Sequence, residues 1–273
     1  MPPFDSQPTT HAVPEKLEIY ALSGLPELSP GAPLAELLCQ AASGSGVPLV
    51  AGDVLVVAQK VVSKAEGRLV ELATIEPTPF AVSLAHTLKK DPRQVEVVLR
   101  ESRRIVRMDS GLRKDSESTT SGLIVVETHH GFVCANAGVD TSNVPAGWVS
   151  LLPCDPDLSA RRLREEIARL TGANVAVVIS DTFGRPWREG LTNVAIGVSG
   201  FEPAIDYRGQ SDAHGNVLAA TVVAAADELA AAAELVMGKV SRRPAALIRH
   251  FRWTPAPGKA TDLIRPREKD LFR

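Results

Sequence analysis

ANVAVVISDTFGRPWR, residues 173–188, is the stretch on which the reading of this chain turns. Its first half, Ala173 to Ile179, is a run of small and β-branched apolar residues, the composition of a buried strand. Its second half is chemistry. Asp181 stands between the hydroxyls of Ser180 and Thr182, and Arg185 and Arg188 follow. An apolar strand ending in a carboxylate flanked by hydroxyls is a poor structural ending. It is a good holder for a hard cation, which takes oxygen ligands and keeps part of its water. Guanidinium groups next to a metal-binding carboxylate are what phosphoryl transfer uses.

The arrangement recurs upstream. Gly131 to Ala137 (GFVCANA) reads as a strand, and Asp140-Thr141-Ser142-Asn143 comes after it. Turn or helix capping by Asp-Thr-Ser is the competing reading. Two such clusters, with Asn136 and Asn143 added, gather more oxygen donors than unrelated caps need. Outward from these clusters, 17–22, 54–58, 122–128 and 245–249 read as strands, with His129-His130-Gly131 as a tight turn. Residues 33–42 and the Ala-rich 217–237 read as helices. A further helix runs from Asp155-Pro156, a cap with proline at the first position, to the stop at Gly172. Val95 to Arg107 fits either a strand or a helix. Strands and helices mix without strict βαβ alternation, which predicts a mixed-sheet α/β (α+β) fold.

At 273 residues the chain is long enough for one large domain or two interlocked lobes. A net charge of −2 excludes a nucleic-acid surface built on bulk charge. Aromatics are only 4% against 44% hydrophobic residues, so the core must be built of Ala, Val, Leu and Ile. Cys39, Cys134 and Cys154, three at irregular spacing, read as buried thiols of a reducing compartment. The most apolar long stretch, 217–237, carries Asp227, Glu228 and Glu234, which argues against a membrane span. Residues 1–16 are polar and Pro-rich and read as a disordered lead-in without a signal peptide, so the expected location is cytoplasmic. The charged, Pro-containing 251–273 reads as a C-terminal arm or linker.

No P-loop and no Gly-rich dinucleotide fingerprint occurs. A nucleotide must therefore be held by other means. The candidates are the turn Gly24-Leu25-Pro26-Glu27, the lysine-bearing Gln59 to Lys64 segment, and the turn Met237-Gly238-Lys239.

Four segments in order, GDVLVVAQKVVSKAEGR (52–68), HGFVCANAGVDTSN (130–143), SDTFGRPWREG (180–190) and VMGK (236–239), resemble the coenzyme F420-0:L-glutamate ligase family, the γ-glutamyl ligases of deazaflavin cofactor synthesis. The resemblance covers about residues 17–250, taken as the catalytic domain. It implies an unusual mixed α/β fold and an intertwined homodimer. It also implies a GTP-dependent enzyme that uses Mg²⁺ or Mn²⁺, is stimulated by K⁺, and joins L-glutamate to coenzyme F420-0. Asp140 and Asp181 match the positions of one metal, and Thr182 a second. Gly24, Leu25, Pro26, Glu27, Lys64 and Asn143 match nucleotide contacts. Gln59 falls where other members often carry Ser, which leaves a backbone or altered contact. Lys239 falls where some members have a Gln metal ligand. A charged lysine cannot ligate, so the second cation is expected to be held differently here. Arg185 and Arg188 are the candidates for neutralising a transferred phosphoryl group or holding the acceptor carboxylate. Some actinobacterial relatives carry this module fused to a C-terminal nitroreductase-like domain. The rival readings are a ligase or kinase acting on another carboxylate, and a non-catalytic metal- and nucleotide-binding module.

Overall fold

A computed structural model describes residues 16–110 and 121–271. The chain opens with β1 (Glu18–Leu22) and α1 (Leu34–Gly44), then β2 (Val54–Ala58), which runs directly into α2 (Gln59–Ala65). A second lobe follows: β3 (Leu69–Glu71), α3 (Pro79–Leu88), α4 (Pro92–Arg100), β4 (Ser102–Asp109), β5 (Leu123–Thr128), β6 (Val133–Ala135) and β7 (Trp148–Ser150). The chain returns through α5 (Pro156–Thr171), β8 (Ala176–Arg185), β9 (Arg188–Phe201), β10 (Ile205–Asp206) and β11 (Val222–Val223). It closes with α6 (Ala225–Met237), β12 (Ala245–Arg249) and β13 (Pro255–Ala256).

The main sheet has the order β1-β12-β2-β8-β9-β13, with β2 and β8 parallel and the other neighbours antiparallel. The mixed α/β expectation holds. The central strands read as unbroken apolar runs because both of their faces are covered. Leu55, Val57, Val177 and Ile179 face one core with α1 and α5 residues such as Leu38, Leu163 and Ile167. Val54, Val56, Ala176 and Val178 face the other, against Ala226, Leu229, Ala230 and Ala233 of α6. The near absence of aromatic bulk is met by alanines that let α6 sit close to the sheet. The second lobe has its own core, in which Leu84, Leu88, Val95 and Val98 of α3 and α4 cover Ile124 and Val126 of β5.

Several expectations sharpen. Val95 to Arg107 is both of its alternatives in succession, helix α4 to Arg100 and strand β4 from Ser102. Asp91 caps α4, its carboxylate accepting from the N–H of Arg93, with Pro92 at the first position. The 217–237 helix is shorter than its apolar stretch and begins at Ala225. The α5 boundaries hold: the Asp155 carboxylate accepts from the N–H of Leu158, and Gly172 ends the helix at φ 72°. Of the cysteines, Cys134 is buried, Cys39 is half-buried and Cys154 is exposed, so the last corrects the reading of three buried thiols. The lead-in 1–16, except Lys16, lies outside the described residues. Residues 251–271 pack on the body. β13 pairs with β9, the Trp253 indole donates to Gly52 O at 3.0 Å, and the N–H of Ala260 donates to Asp157 Oδ1 at 2.8 Å. Among the described residues, no helix is long and apolar enough to cross a membrane.

Candidate active site

The site forms where the second lobe meets the C-terminal ends of the parallel pair β2 and β8. Two corrections to the strand boundaries explain how. The expected strand 131–137 stops at Ala135, and the next three residues, Asn136, Ala137 and Gly138, have φ of 51°, 55° and 71°. Such left-handed geometry is costly for the non-glycine residues and is concentrated at functional sites. A Cβ on Gly138 would come within 2.7 Å of the Leu152 side chain, so only glycine fits this turn. The turn delivers Asp140, whose backbone exchanges both hydrogen bonds with Ser150, at 3.1 and 2.8 Å.

The second correction concerns β8, which does not end before Asp181. It continues to Arg185, paired with β9 around an irregularity between Ile179 and Ser180 where Ile196 is the extra residue. The extra residue belongs to β9, so the alternation of β8 is unbroken. Asp181 therefore continues the face of Val177 and Ile179, and Thr182 the face of Val178 toward α6.

Around the first position, Lys60 Nζ donates to Asp140 Oδ2 at 2.6 Å and to Ser142 Oγ at 2.5 Å. The N–H of Ser142 donates to Asp140 Oδ1 at 2.8 Å. Burial opposes ionisation of Asp140, but Lys60 and Ser142 outweigh it and hold its carboxyl below the usual range. Asp181 behaves in the opposite way. Burial pushes its carboxyl up to about 6, and the negative charge of Asp140 adds to the rise, against the Thr182 N–H at 2.8 Å and the charges of Lys60 and Lys239. Two carboxylates and one close ammonium leave one negative charge uncompensated. Ser180 Oγ, on the α6 face of the same strand, and Asn136 Oδ1, in the turn before Asp140, are buried without hydrogen-bond partners. The incompletely compensated carboxylate pair is what fits a divalent cation. Among the described residues, no three His, Cys, Asp or Glu side chains gather into a self-sufficient metal site. That suits Mg²⁺ or Mn²⁺, which take one or two carboxylates and fill their shell with water and substrate phosphate.

Around the second position, Thr182 Oγ1 donates to Asn193 Oδ1 at 2.7 Å, and Asn193 Nδ2 donates to Glu234 Oε2 at 3.0 Å. Lys239 Nζ sits among the same oxygens, 2.5 Å from Thr182 Oγ1 and 3.0 Å from Glu234 Oε1. As these side chains stand, the set does not fit a second divalent ion.

Of the nucleotide candidates, Lys64 and Glu27 are brought together as an ion pair, with Lys64 buried and Glu27 exposed. Gly24 and Pro26 are exposed and line a hollow of about 740 Å³ against α1, while Leu25 packs on the core. Gln59 is buried and accepts from Ser63 Oγ at 2.8 Å. Asn143 is exposed at φ 55°. The Met237 side chain belongs to the α6 core, so within the Met237-Gly238-Lys239 turn this residue offers a ligand its backbone. Arg185 and Arg188 pair across the exposed tip of the β8–β9 hairpin, about 13 Å further along the strand than Asp181 by strand rise, with Arg185 donating to Glu189 O at 2.9 Å. They are not gathered with the two aspartates. His129 and His130 only fasten their turn, to Arg100 O at 2.8 Å and Pro153 O at 2.9 Å. In the sequence Lys60 is only one lysine of the Gln59 to Lys64 segment. Asn193 and Glu234 were missed. Their signal was a polar residue inside an apolar stretch and an acid in an alanine helix.

The sequence model of a family described as F420-0:Gamma-glutamyl ligase matches residues 24–250. The chain belongs to that family. It is 44% identical over 260 residues to the coenzyme F420:L-glutamate ligase of Methanothermobacter thermautotrophicus, covering 94% of this chain and 99% of the relative. The ligase of the same name from Methanopyrus kandleri is 47% identical over 252 residues, 90% of this chain and 94% of that one. That of Methanocaldococcus jannaschii is 42% identical over 241 residues, 88% and 90% respectively. The family match spans both lobes and the β2–β8 site between them.

Proposed function

We propose that this chain joins L-glutamate to coenzyme F420-0 at the expense of GTP, by way of an acyl phosphate. The observation that carries the reading is the convergence of Asp181, Asp140 and Lys60 at the C-terminal ends of β2 and β8, with Lys64 and the Gly24–Glu27 turn alongside. In open α/β sheets that end of the strands is where ligands bind.

A carboxylate is a poor acylating agent because oxide would have to leave. In the first step a carboxylate oxygen of F420-0 attacks the γ-phosphorus, the bond from that phosphorus to the bridging oxygen breaks, and GDP leaves. In the second the glutamate amine attacks the acyl carbon, phosphate leaves with the C–O electron pair, and the amine loses a proton. Asp140 and Asp181 hold the divalent cation, which when bound offsets charge on the nucleotide phosphates. Lys64 exchanges Glu27 for phosphate, as a point charge on a flexible stem. Lys60 keeps Asp140 ionised and aimed. Arg185 and Arg188 reach a phosphoryl group only if the hairpin tip is folded over a site, which accords with an intertwined homodimer in which one hairpin serves the partner. Exposed strand residues Met108, Leu123 and Val133, and Leu191 on the hairpin, supply apolar surface for such an assembly.

The test is mass spectrometry of F420-0 after incubation with the chain, GTP, Mn²⁺ and L-glutamate. The reading expects a product heavier by one or more glutamyl units, and phosphate release that requires both acceptor and glutamate. Phosphate release without either would favour a bare nucleotidase. Neither product nor release from folded protein would favour a binding module.

A further inference from the structure

The second position of the site is already electrically complete. An ammonium has three N–H donors and no acceptor. Lys239 Nζ meets three different oxygens: the Thr182 hydroxyl at 2.5 Å, the Glu234 carboxylate at 3.0 Å and the Asn193 amide oxygen at 3.4 Å. The neighbours are locked to one another, since Asn193 accepts from Thr182 and donates to Glu234. Each oxygen that a cation would need is committed to the ammonium or to another member of the ring. The charges, one carboxylate and one ammonium, sum to zero. At the first position Asp140, Asp181 and Lys60 sum to minus one.

The backbone is built to put the lysine there. Gly238 ends α6 at φ 61° and ψ 162°, a region open essentially to glycine alone. The turn swings Lys239 back toward Glu234 on its own helix and Thr182 on β8.

We propose that the Lys239 ammonium takes the place of a second divalent cation, so that this chain works with one divalent ion per site where a two-ion arrangement would otherwise stand. The inference rests on the functional reading above, in that Asp140 and Asp181 are taken to hold the first ion. Its consequence is that one positive charge in the site is covalently fixed and cannot be removed by chelation or diluted away.

The experiment counts metal rather than turnover. Full-length protein is equilibrated by dialysis against saturating Mn²⁺ and a non-hydrolysable GTP analogue, and the excess manganese in the protein chamber is measured per chain. Wild type is expected to hold one Mn²⁺, Lys239→Gln two, and Lys239→Arg one, with circular dichroism verifying that each variant is folded. Two ions on wild type would overturn the inference and leave the functional reading standing. One ion on both wild type and folded Lys239→Gln would also overturn it, because the lysine would not be what keeps a second ion out. No ion on wild type would overturn the assignment of Asp140 and Asp181 and the inference with it.

Discussion

Strands β2 and β8 run side by side, and the carboxylates at their two ends are treated in opposite ways. Just before β2, Asp53 is 1% exposed, and both its oxygens are spoken for. Arg249 forks onto them at 2.9 and 2.9 Å, and the N–H of Val50 adds a bond at 2.9 Å. Trp253 closes over the same end on Gly52. At the other end, Asp181 sits beside Asp140, accepts the N–H of its own neighbour, and has its carboxyl raised to about 6. One end spends its polar groups on holding the fold. The other keeps charge and orphaned oxygens unspent, as binding sites do. Buried charge is thus not by itself a sign of function in this molecule. The sign is whether the fold has already answered it.

The comparison breaks most violently at the closed end. Arg249→Met leaves Asp53 buried with one backbone donor, and removing one partner of a buried pair costs about 3–5 kcal/mol. Urea unfolding should find that loss, and the double change Asp53→Asn/Arg249→Met should recover part of it. The folded fraction of Arg249→Met should keep its Mn²⁺ affinity.

The open end should reveal itself in pH. With the Asp181 carboxyl near 6 in the folded chain and near 4 in an unfolded one, the native state holds the extra proton between those values. Its contribution to stability is therefore fully present below about pH 4 and is lost as pH rises through about 6. The penalty at pH 8 is on the order of 2 kcal/mol. In metal-free protein the melting temperature should fall over this window relative to Asp181→Asn, and added Mn²⁺ should restore it most above pH 6. A flat difference between the two proteins from pH 4 to 8 would mean that burial does not penalise the Asp181 carboxylate.

The smallest effect belongs to Lys64. Lys64 is buried but its partner Glu27 is exposed, so water screens the pair and its contribution to stability is small. Lys64→Ala should weaken GTP binding roughly tenfold, about 1.4 kcal/mol, with Lys64→Arg intermediate. Titration calorimetry giving unchanged GTP affinity in Lys64→Ala would return the lysine to a structural role.

What could be read in the sequence follows the same division. Elements whose cause is local were legible: β2 and β12 match the expected spans 54–58 and 245–249, and α5 begins and ends at its Asp155 and Gly172 signals. The Asp91-Pro92 start of α4 is equally local and was overlooked, which left the helix and the strand after it merged. Elements whose cause is tertiary were not legible. The continuation of β8 through Asp181 depends on pairing with β9. The halt of β6 at Ala135 comes with the left-handed turn 136–138, two of whose residues are not glycine. Asp140 and Asp181 stand out as candidates because carboxylates flanked by hydroxyls follow apolar runs, whereas Thr182 is picked out only by the family resemblance. Asn193 and Glu234 were hidden because a single polar residue in a strand or an alanine helix becomes meaningful only when Lys239 arrives between them.

The most direct test of the contrast between the two ends is one protein measured twice, Asp181→Asn at pH 8. Its metal-free unfolding free energy should equal or exceed that of wild type, while its Mn²⁺ affinity falls and glutamate ligation drops at least a hundredfold. A variant that loses folding stability but keeps wild-type Mn²⁺ affinity would contradict the account, and would make Asp181 a second Asp53.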